Sequence, residues 1–216
     1  MPPLGKPLRQ TFYARDCRVV AAELIGCRLV RRFESGERVV IRLVEVEAYL
    51  GDGSDPASHA HAGPTPRNQT MFGPAGRLYA YRSYGIHTCI NVVCGVAGRA
   101  TAVLLRAAEP LEGLARMRAF RGLAPDAPSE SIARGPGRLA QALGLGLDDD
   151  GHSLLRPPLS LHAPASGVAK IRLERGPRVG ITKACRLPYR FFEADSRWVS
   201  PFRSGGKKNS RTTAVR

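Results

Sequence analysis

The chain has 216 residues, 43% of them hydrophobic, which suits one domain with an ordinary core or at most two small ones. Its 33 lysines and arginines against 18 acids give a formal charge of +15, which points to a polyanionic partner or an anionic membrane surface. No run approaches the length of a membrane span and MPPLGKPLRQTF lacks the apolar stretch of a signal peptide, so a cytoplasmic protein is expected.

Residues 1–9 read as a Pro-rich lead-in. ARDCRVVAAELIGC, Ala14–Cys27, predicts a helix with Asp16 as cap and Gly26 at its end. Cys27–Phe33 and Arg38–Leu50 predict two strands joined by the turn ESGE, a hairpin. The second strand holds RLVEVEAYLGD, where alternation puts Ile41, Leu43, Glu45, Glu47 and Tyr49 on one face. That face is either solvated or buries carboxylates, which is costly unless they are paired. Residues 51–76 follow, a Gly/Pro/Ser/Asn-rich stretch carrying His59, His61, Arg67 and Asn68. A loop of that length in a compact domain is functional or disordered, and those side chains favour function.

RLYAYRSYGIHTCINVVC, residues 77–94, predicts a strand pair broken near Gly85, and residues 100–108 a third strand. EPLEGLARMRAF, 109–120, reads as a helix opening at Pro110 with Glu112 in its first turn. ARGPGRLAQALGLG, 133–146, reads as a glycine turn and a short helix, and DDDG as a surface turn. Further strands are expected over Leu154–His162, Ala169–Leu173 and Arg190–Phe192. Strands without βα alternation imply an α+β fold: one compact domain over residues 10–202, with a curved, mostly antiparallel β-sheet, surrounding helices and a protruding β-hairpin. After Phe202 come five cations and no acid, a basic tail (203–216) expected to be disordered; the body alone carries about +10.

Chemistry has several candidate seats. The five cysteines form no CxxC and no zinc spacing, so they are expected reduced and mostly buried, with no metal and no cofactor. Tyr79 and Tyr81 share a strand face while Tyr84 precedes Gly85 at a turn; tyrosines suit sheet edges, but also base-stacking walls and wedges. Arg106 alternates with Leu104 and Ala102, and a buried arginine there wants Glu47 or Glu45 as partner. ARGPGR offers Arg134 and Arg138 around a turn suited to phosphate.

The motifs EAYLG (47–51), SHA (58–60), TPRN (65–68), LYAYRSYG (78–85), IN (90–91), LLRAAEPLEG (104–113), GPGRLAQALG (135–144) and RVGI (178–181) together resemble the alkyladenine (3-methyladenine) DNA glycosylases. The likeness runs from about residue 10 to about 202. It implies an enzyme that flips a damaged purine out of duplex DNA and hydrolyses its N-glycosidic bond. By that resemblance Glu47 is the general base, and Arg106 and the carbonyl of Ile181 help hold the attacking water. Tyr49, His59 and Tyr81 enclose the base, Asn91 crowds a purine 2-amino group, and Tyr84 takes the vacated place in the stack. Arg67, Arg134 and Arg138 are expected to meet DNA. The implied protein is monomeric and nucleoid-associated, and leaves an abasic site for downstream repair enzymes. The preferred lesion among 3-methyladenine, 7-methylguanine, hypoxanthine and ethenoadenine stays open.

Glu45 shares a predicted face with Glu47 and competes with it as base. Three rivals differ in class, one of them an RNA-processing or RNA-binding protein that would bind single-stranded RNA tightly and release no base. A lyase-type glycosylase would use the Pro2 amine as nucleophile, but the acidic neighbour and four-cysteine module of such proteins are missing. A non-enzymatic nucleic-acid binder suits the charge and the tyrosine wedge, but gives no reason for a carboxylate facing phosphate.

Overall fold

Helix α1 (Gln10–Tyr13) opens the computed structural model, which describes residues 4–165, 167 and 171–202. It begins where the expected lead-in ends. Helix α2 (Cys17–Leu24) is shorter than the predicted span. Asp16 caps it as expected, its carboxylate accepting from the Arg18 N–H at 2.8 Å. Cys17, Val20, Ala21 and Leu24 form its buried stripe, and the chain turns off at Gly26 with φ +88°. Strands β1 (Arg28–Arg32) and β2 (Arg38–Tyr49) then make the predicted hairpin.

The alternation expected in β2 does not run straight through. Against its neighbour β5 (Thr101–Glu112), Leu43 faces Ala108 and Glu45 faces Ala107, so Val44 is an extra residue; the next step returns the shift at Arg106. These paired bulges flip parity. Ile41 and Leu43 therefore lie in the main core with Val46 and Ala48, while Glu45, Glu47 and Tyr49 turn to the opposite face. Arg106, in step with Leu104 and Ala102 opposite Glu47 and Tyr49, lies on the same face. A uniform two-residue period misassigns Ile41 and Leu43 because it has no way to sense the extra residue.

Residues 51–76 are a chain of turns ending in a 3-10 turn over Gln69–Phe72. Ala60 and Met71 pack with Tyr79, Val93, Ala100 and Ala102 in a second, smaller cluster, which lays this segment on the sheet. Strands β3 (Leu78–Ser83) and β4 (His87–Cys94) form the predicted second hairpin. Its tip protrudes: Tyr84 is 86% exposed and Ile86 70%.

The helix expected from Glu109 begins later. Strand β5 continues to Glu112, because Glu112 pairs with Arg38 at 2.7 Å and Glu109 with Arg42 at 2.5 Å across the β2–β5 ladder. Gly113, at φ +78°, breaks the strand, and α3 (Leu114–Arg121) starts there. Helices α4 (Glu130–Ala133) and α5 (Pro136–Ala142) follow. The single strand expected over Leu154–His162 is two, β6 (Leu155–Arg156) and β7 (Leu159–His162), split by Pro157-Pro158, which donates no ladder hydrogen bond. Strand β8 (Leu173–Gly176) begins where the expected Ala169–Leu173 strand ends, and Ala169 and Lys170 lie outside the described residues. Strand β9 (Arg190–Glu193) matches expectation.

All strand pairs are antiparallel, in the order β3-β4-β5-β2-β1-β7-β6, with β9 taking over the edge of β2 beyond β1 and β8 pairing outside it. The sheet curls into a half-barrel whose main core includes Val20 and Leu24 of α2, Met117 of α3 and Leu139 of α5, giving one compact α+β domain. Four cysteines are buried and Cys185 is exposed, all free. No helix among the described residues is long and apolar enough to cross a membrane. The basic tail and Pro2 lie outside the described residues.

Candidate active site

Glu47 has no exposed surface. Three donors hold its carboxylate: the Val179 N–H on Oε1 at 2.7 Å, and the Tyr49 hydroxyl and Arg106 Nη1 on Oε2 at 2.9 and 3.3 Å. Burial raises its pKa, while Arg106, the Val179 amide and Tyr49 pull the other way. Arg106 is lowered by its own burial but raised on balance by Glu47 and Glu45, so it stays a fixed cation.

Glu45, the competing candidate, is spoken for. Its Oε1 accepts from Arg106 Nε, Arg190 Nε and Ser200 Oγ at 3.1, 2.7 and 2.9 Å, and Oε2 from the Ser200 N–H at 2.8 Å. Such a carboxylate orients Arg106 and has little room for a substrate proton. Ile181 sits in the irregular stretch between β8 and β9, two residues after Val179; its carbonyl accepts from Cys185 Sγ at 3.3 Å.

Beside this cluster opens a cleft of about 270 Å³ lined by Tyr49, His59, Arg67, Tyr79, Tyr81, Asn91 and Ile181, among others. Tyr79 and Tyr81 stack at 5.6 Å between ring centroids, and His59 meets Tyr81 edge-on at 4.4 Å. His59 Nδ1 lies 3.1 Å from the Tyr79 hydroxyl, and partial desolvation, aided by Arg67, lowers its pKa, which favours neutral imidazole. Burial pushes the Tyr79 hydroxyl up to about 12, so it keeps its proton. Asn68 anchors the His59 turn through its Nδ2 to the His59 carbonyl at 2.9 Å. His61 is exposed and takes no part in the lining, whereas His59 of the SHA motif does. Asn91 is buried, with Nδ2 on the Tyr79 carbonyl at 3.1 Å. Arg67 reaches the Arg82 carbonyl at 2.8 Å and lies 5.5 Å from the Tyr81 ring centroid.

A second groove meets the cleft at Ser83 and Tyr84, which line both. Arg106, Arg121, Arg134 and Arg138 line it and no carboxylate does. Arg134 is partly committed, with Nε on the Val199 carbonyl at 2.8 Å. Glu47 lies between the two cavities, since Tyr49 belongs to the cleft and Arg106 and Val179 to the groove. The arrangement brings a carboxylate, a cation, aromatic walls and a basic track together. Among the described residues no His, Cys, Asp or Glu cluster is arranged for a metal ion.

Sequence reasoning missed Asp55, Val179, Arg190 and Ser200, and used only the last residue of RVGI, the half-buried Ile181, although its first, Arg178, is buried. No local signal marks these residues, because each works on a partner more than 100 positions away.

The family model for methylpurine-DNA glycosylase matches residues 11–197. A protein of Rhodopseudomonas palustris named "Putative 3-methyladenine DNA glycosylase" is 50% identical over 202 residues, covering 93% of this chain and 92% of its own. Proteins of the same name from Methanoculleus marisnigri and Leifsonia xyli are 50% and 46% identical, covering 89% and 93% of this chain and 98% and 94% of their own. With a match along nearly the whole chain, it belongs to the methylpurine-DNA glycosylase family.

Proposed function

We propose that the protein is a monofunctional DNA glycosylase that removes alkylated or otherwise damaged purines from duplex DNA and leaves an abasic site. One observation carries the reading: a buried carboxylate, Glu47, bonded to Arg106 at 3.3 Å and to the cleft-wall Tyr49 at 2.9 Å. A flipped nucleotide would seat its base between Tyr49, Tyr81 and His59. If the Tyr79 hydroxyl donates to His59 Nδ1, the proton sits on Nε2 and can be offered to an acceptor on the base. Asn91, fixed in the wall, would crowd a purine 2-amino group.

The C1′–N bond then breaks with its electron pair leaving on the base, and the sugar becomes oxocarbenium-like. Glu47 stabilises that charge and takes a proton from the water that bonds to C1′. Water held by Glu47, Arg106 and the Ile181 carbonyl has to reach Oε2 through the seam of cleft and groove, since Glu47 has no exposed surface. Arg67, Arg134 and Arg138 would bind phosphates, and Tyr84 would enter the duplex. The product needs enzymes that act on abasic sites, and a monomer at the nucleoid suits the task.

No lysine lines the cleft among the described residues, which speaks against Schiff-base chemistry; Pro2 lies outside them. A binder without chemistry gains nothing from Glu47. Glu47→Gln should lose about 10²–10⁴-fold in single-turnover base release from a lesion duplex while binding it as well as before. Borohydride should trap no protein–DNA adduct. A loss under about tenfold would reject Glu47 as base, and a trapped adduct would bring back the amine mechanism.

A further inference from the structure

Arg178 and Asp55 form a fully buried ion pair that the chemistry above does not use. Both side chains have no exposed surface, and the guanidinium grips the carboxylate with two bonds, Nη1–Oδ2 at 2.6 Å and Nη2–Oδ1 at 2.7 Å. Arg178 Nη1 also donates to the Ala48 carbonyl at 3.0 Å, on β2 between Glu47 and Tyr49. Asp55 accepts the Leu50 N–H and the Ala57 N–H, each at 3.2 Å, which tethers the start of the segment carrying His59. The guanidinium carbon lies 4.5 Å from the Tyr49 ring centroid. Thus the pair touches three things that meet at Glu47: the strand, the Tyr49 ring, and residues 178–181.

The last of these needs holding. Residues 177–189 belong to no strand or helix, yet Val179 must keep its N–H on Glu47 Oε1 at 2.7 Å. Arg178 is the neighbouring residue and the anchor of that stretch on β2. As a stability device the pair is a poor choice, because desolvating both ions offsets most of their attraction. As a geometric clamp it is well built, since a fork-to-carboxylate contact fixes direction as well as distance.

We infer that Arg178 and Asp55 are positioning residues that set the geometry of Glu47, bracing Tyr49 from one side and holding the Val179 N–H in place. This rests on the reading of Glu47 as the general base. Titratable and charged groups around Glu47 come from every packed element: Glu45 and Tyr49 on β2, Arg106 on β5, Arg190 on β9 opposite Glu47, Tyr81 on β3, Cys89 on β4, and Arg178 beside Val179. Loosening the clamp removes the Val179 donor and weakens the Tyr49 one, both of which favour the ionised form. The carboxylate then protonates at higher pH, and excision, which needs it ionised, is lost at higher pH.

Asp55→Asn and Arg178→Lys test this, since each keeps much of the original volume and the second keeps the charge but not the fork. Single-turnover release of hypoxanthine from a lesion duplex should slow about 10–100-fold in both, the scale set by a misplacement of about 1 Å. Lesion-duplex affinity should stay within about threefold, and the acidic limb of the rate profile should move up in pH. The double variant Glu47→Gln/Asp55→Asn should be no slower than Glu47→Gln alone, because both act through one group. An additive loss, an unmoved acidic limb, full activity in Arg178→Lys, or a chain unfolded in both single variants would overturn the clamp. Retained excision in Glu47→Gln would instead sink the base assignment and is read from that variant alone.

Discussion

At the scale of single residues, what matters is which carboxylate is free to work. Glu45 and Glu47 are both fully buried, two positions apart on one face, and alternation alone cannot rank them. Their partners differ: Glu45 takes four bonds from Arg106, Arg190 and Ser200, whereas Glu47 takes three, from Tyr49 of the cleft and Arg106 and Val179 of the groove. The raised pKa of Glu47 has a consequence for stability. A group that titrates higher in the folded state than in the unfolded one contributes stability below its unfolded pKa, lost as pH rises through the folded value. Glu47→Gln removes that penalty, so the variant should melt at or above the wild-type temperature in neutral buffer. Its advantage should be full above the folded pKa of Glu47 and shrink as the pH falls through that value toward the unfolded one, as melting curves across pH will show. An advantage that grows in acid instead would mean that Glu47 titrates below its ordinary value. The contact of Arg106 with Glu47 or Glu45 and the shared face of Tyr79 and Tyr81 were legible in sequence from strand parity, and the structure gives Arg106 both carboxylates. Asp55–Arg178 was not, because a loop aspartate and a loop arginine 123 positions apart carry no periodic signal.

Elements show where local rules yield to long-range pairing. Pro110 and Glu112 look like the first turn of a helix, and a strand wins because Arg38 and Arg42 stand opposite with complementary charge. Gly113 makes the change of direction possible. An added Cβ there would sit 2.7 Å from Val39 Cγ1 and 2.8 Å from the Arg38 carbonyl oxygen, in a left-handed conformation besides. Gly113→Ala should therefore cost at least about 2 kcal/mol of stability by chemical denaturation, with excision unchanged well below its melting point. The β3–β4 hairpin has the opposite character. Its tip was read correctly from the Tyr-Gly turn, and Tyr84 holds φ +50° with almost no burial. Tyr84→Ala keeps the Cβ, so stability should move by less than about 0.5 kcal/mol. Flipping a base costs a few kcal/mol, and an aromatic in the stack returns about 1–3 kcal/mol. Stopped-flow fluorescence of an ethenoadenine duplex should therefore show a smaller flipped fraction and faster return. The defect should be largest in stable base pairs; a variant that flips normally, or melts several kcal/mol more easily, would remove Tyr84 from the wedge role.

Over the whole molecule, the α+β class, the antiparallel sheet and its protruding hairpin were legible because each hairpin announces itself locally. The bulges that put Ile41 and Leu43 in the core, on the side opposite Glu45 and Glu47, were not, since they depend on how β2 and β5 are registered. Charge is the other whole-molecule property, and it is spread unevenly. A groove walled by Arg106, Arg121, Arg134 and Arg138, with no acid in its lining, meets the base cleft at Tyr84. Binding should weaken steeply with salt, by about 0.9 in log–log slope for each phosphate neutralised. The C-terminal stretch adds Lys207, Lys208, Arg211 and Arg216 to whatever the groove supplies. Deleting residues 204–216 should lower the slope by at most about 3.6, four cations at the same increment. Phosphate contacts carry no sequence or lesion information, so damaged and undamaged duplexes should lose affinity by the same factor. Arg138→Ala should act the same way with a drop of about 1, because Arg138 is exposed in the groove and away from the stacked tyrosines. Fluorescence anisotropy over a salt series, with matched lesion and control duplexes, measures both. A loss confined to the lesion duplex on deleting the tail would place those cations at the base cleft and overturn the division between a basic track that holds DNA and a pocket that reads it.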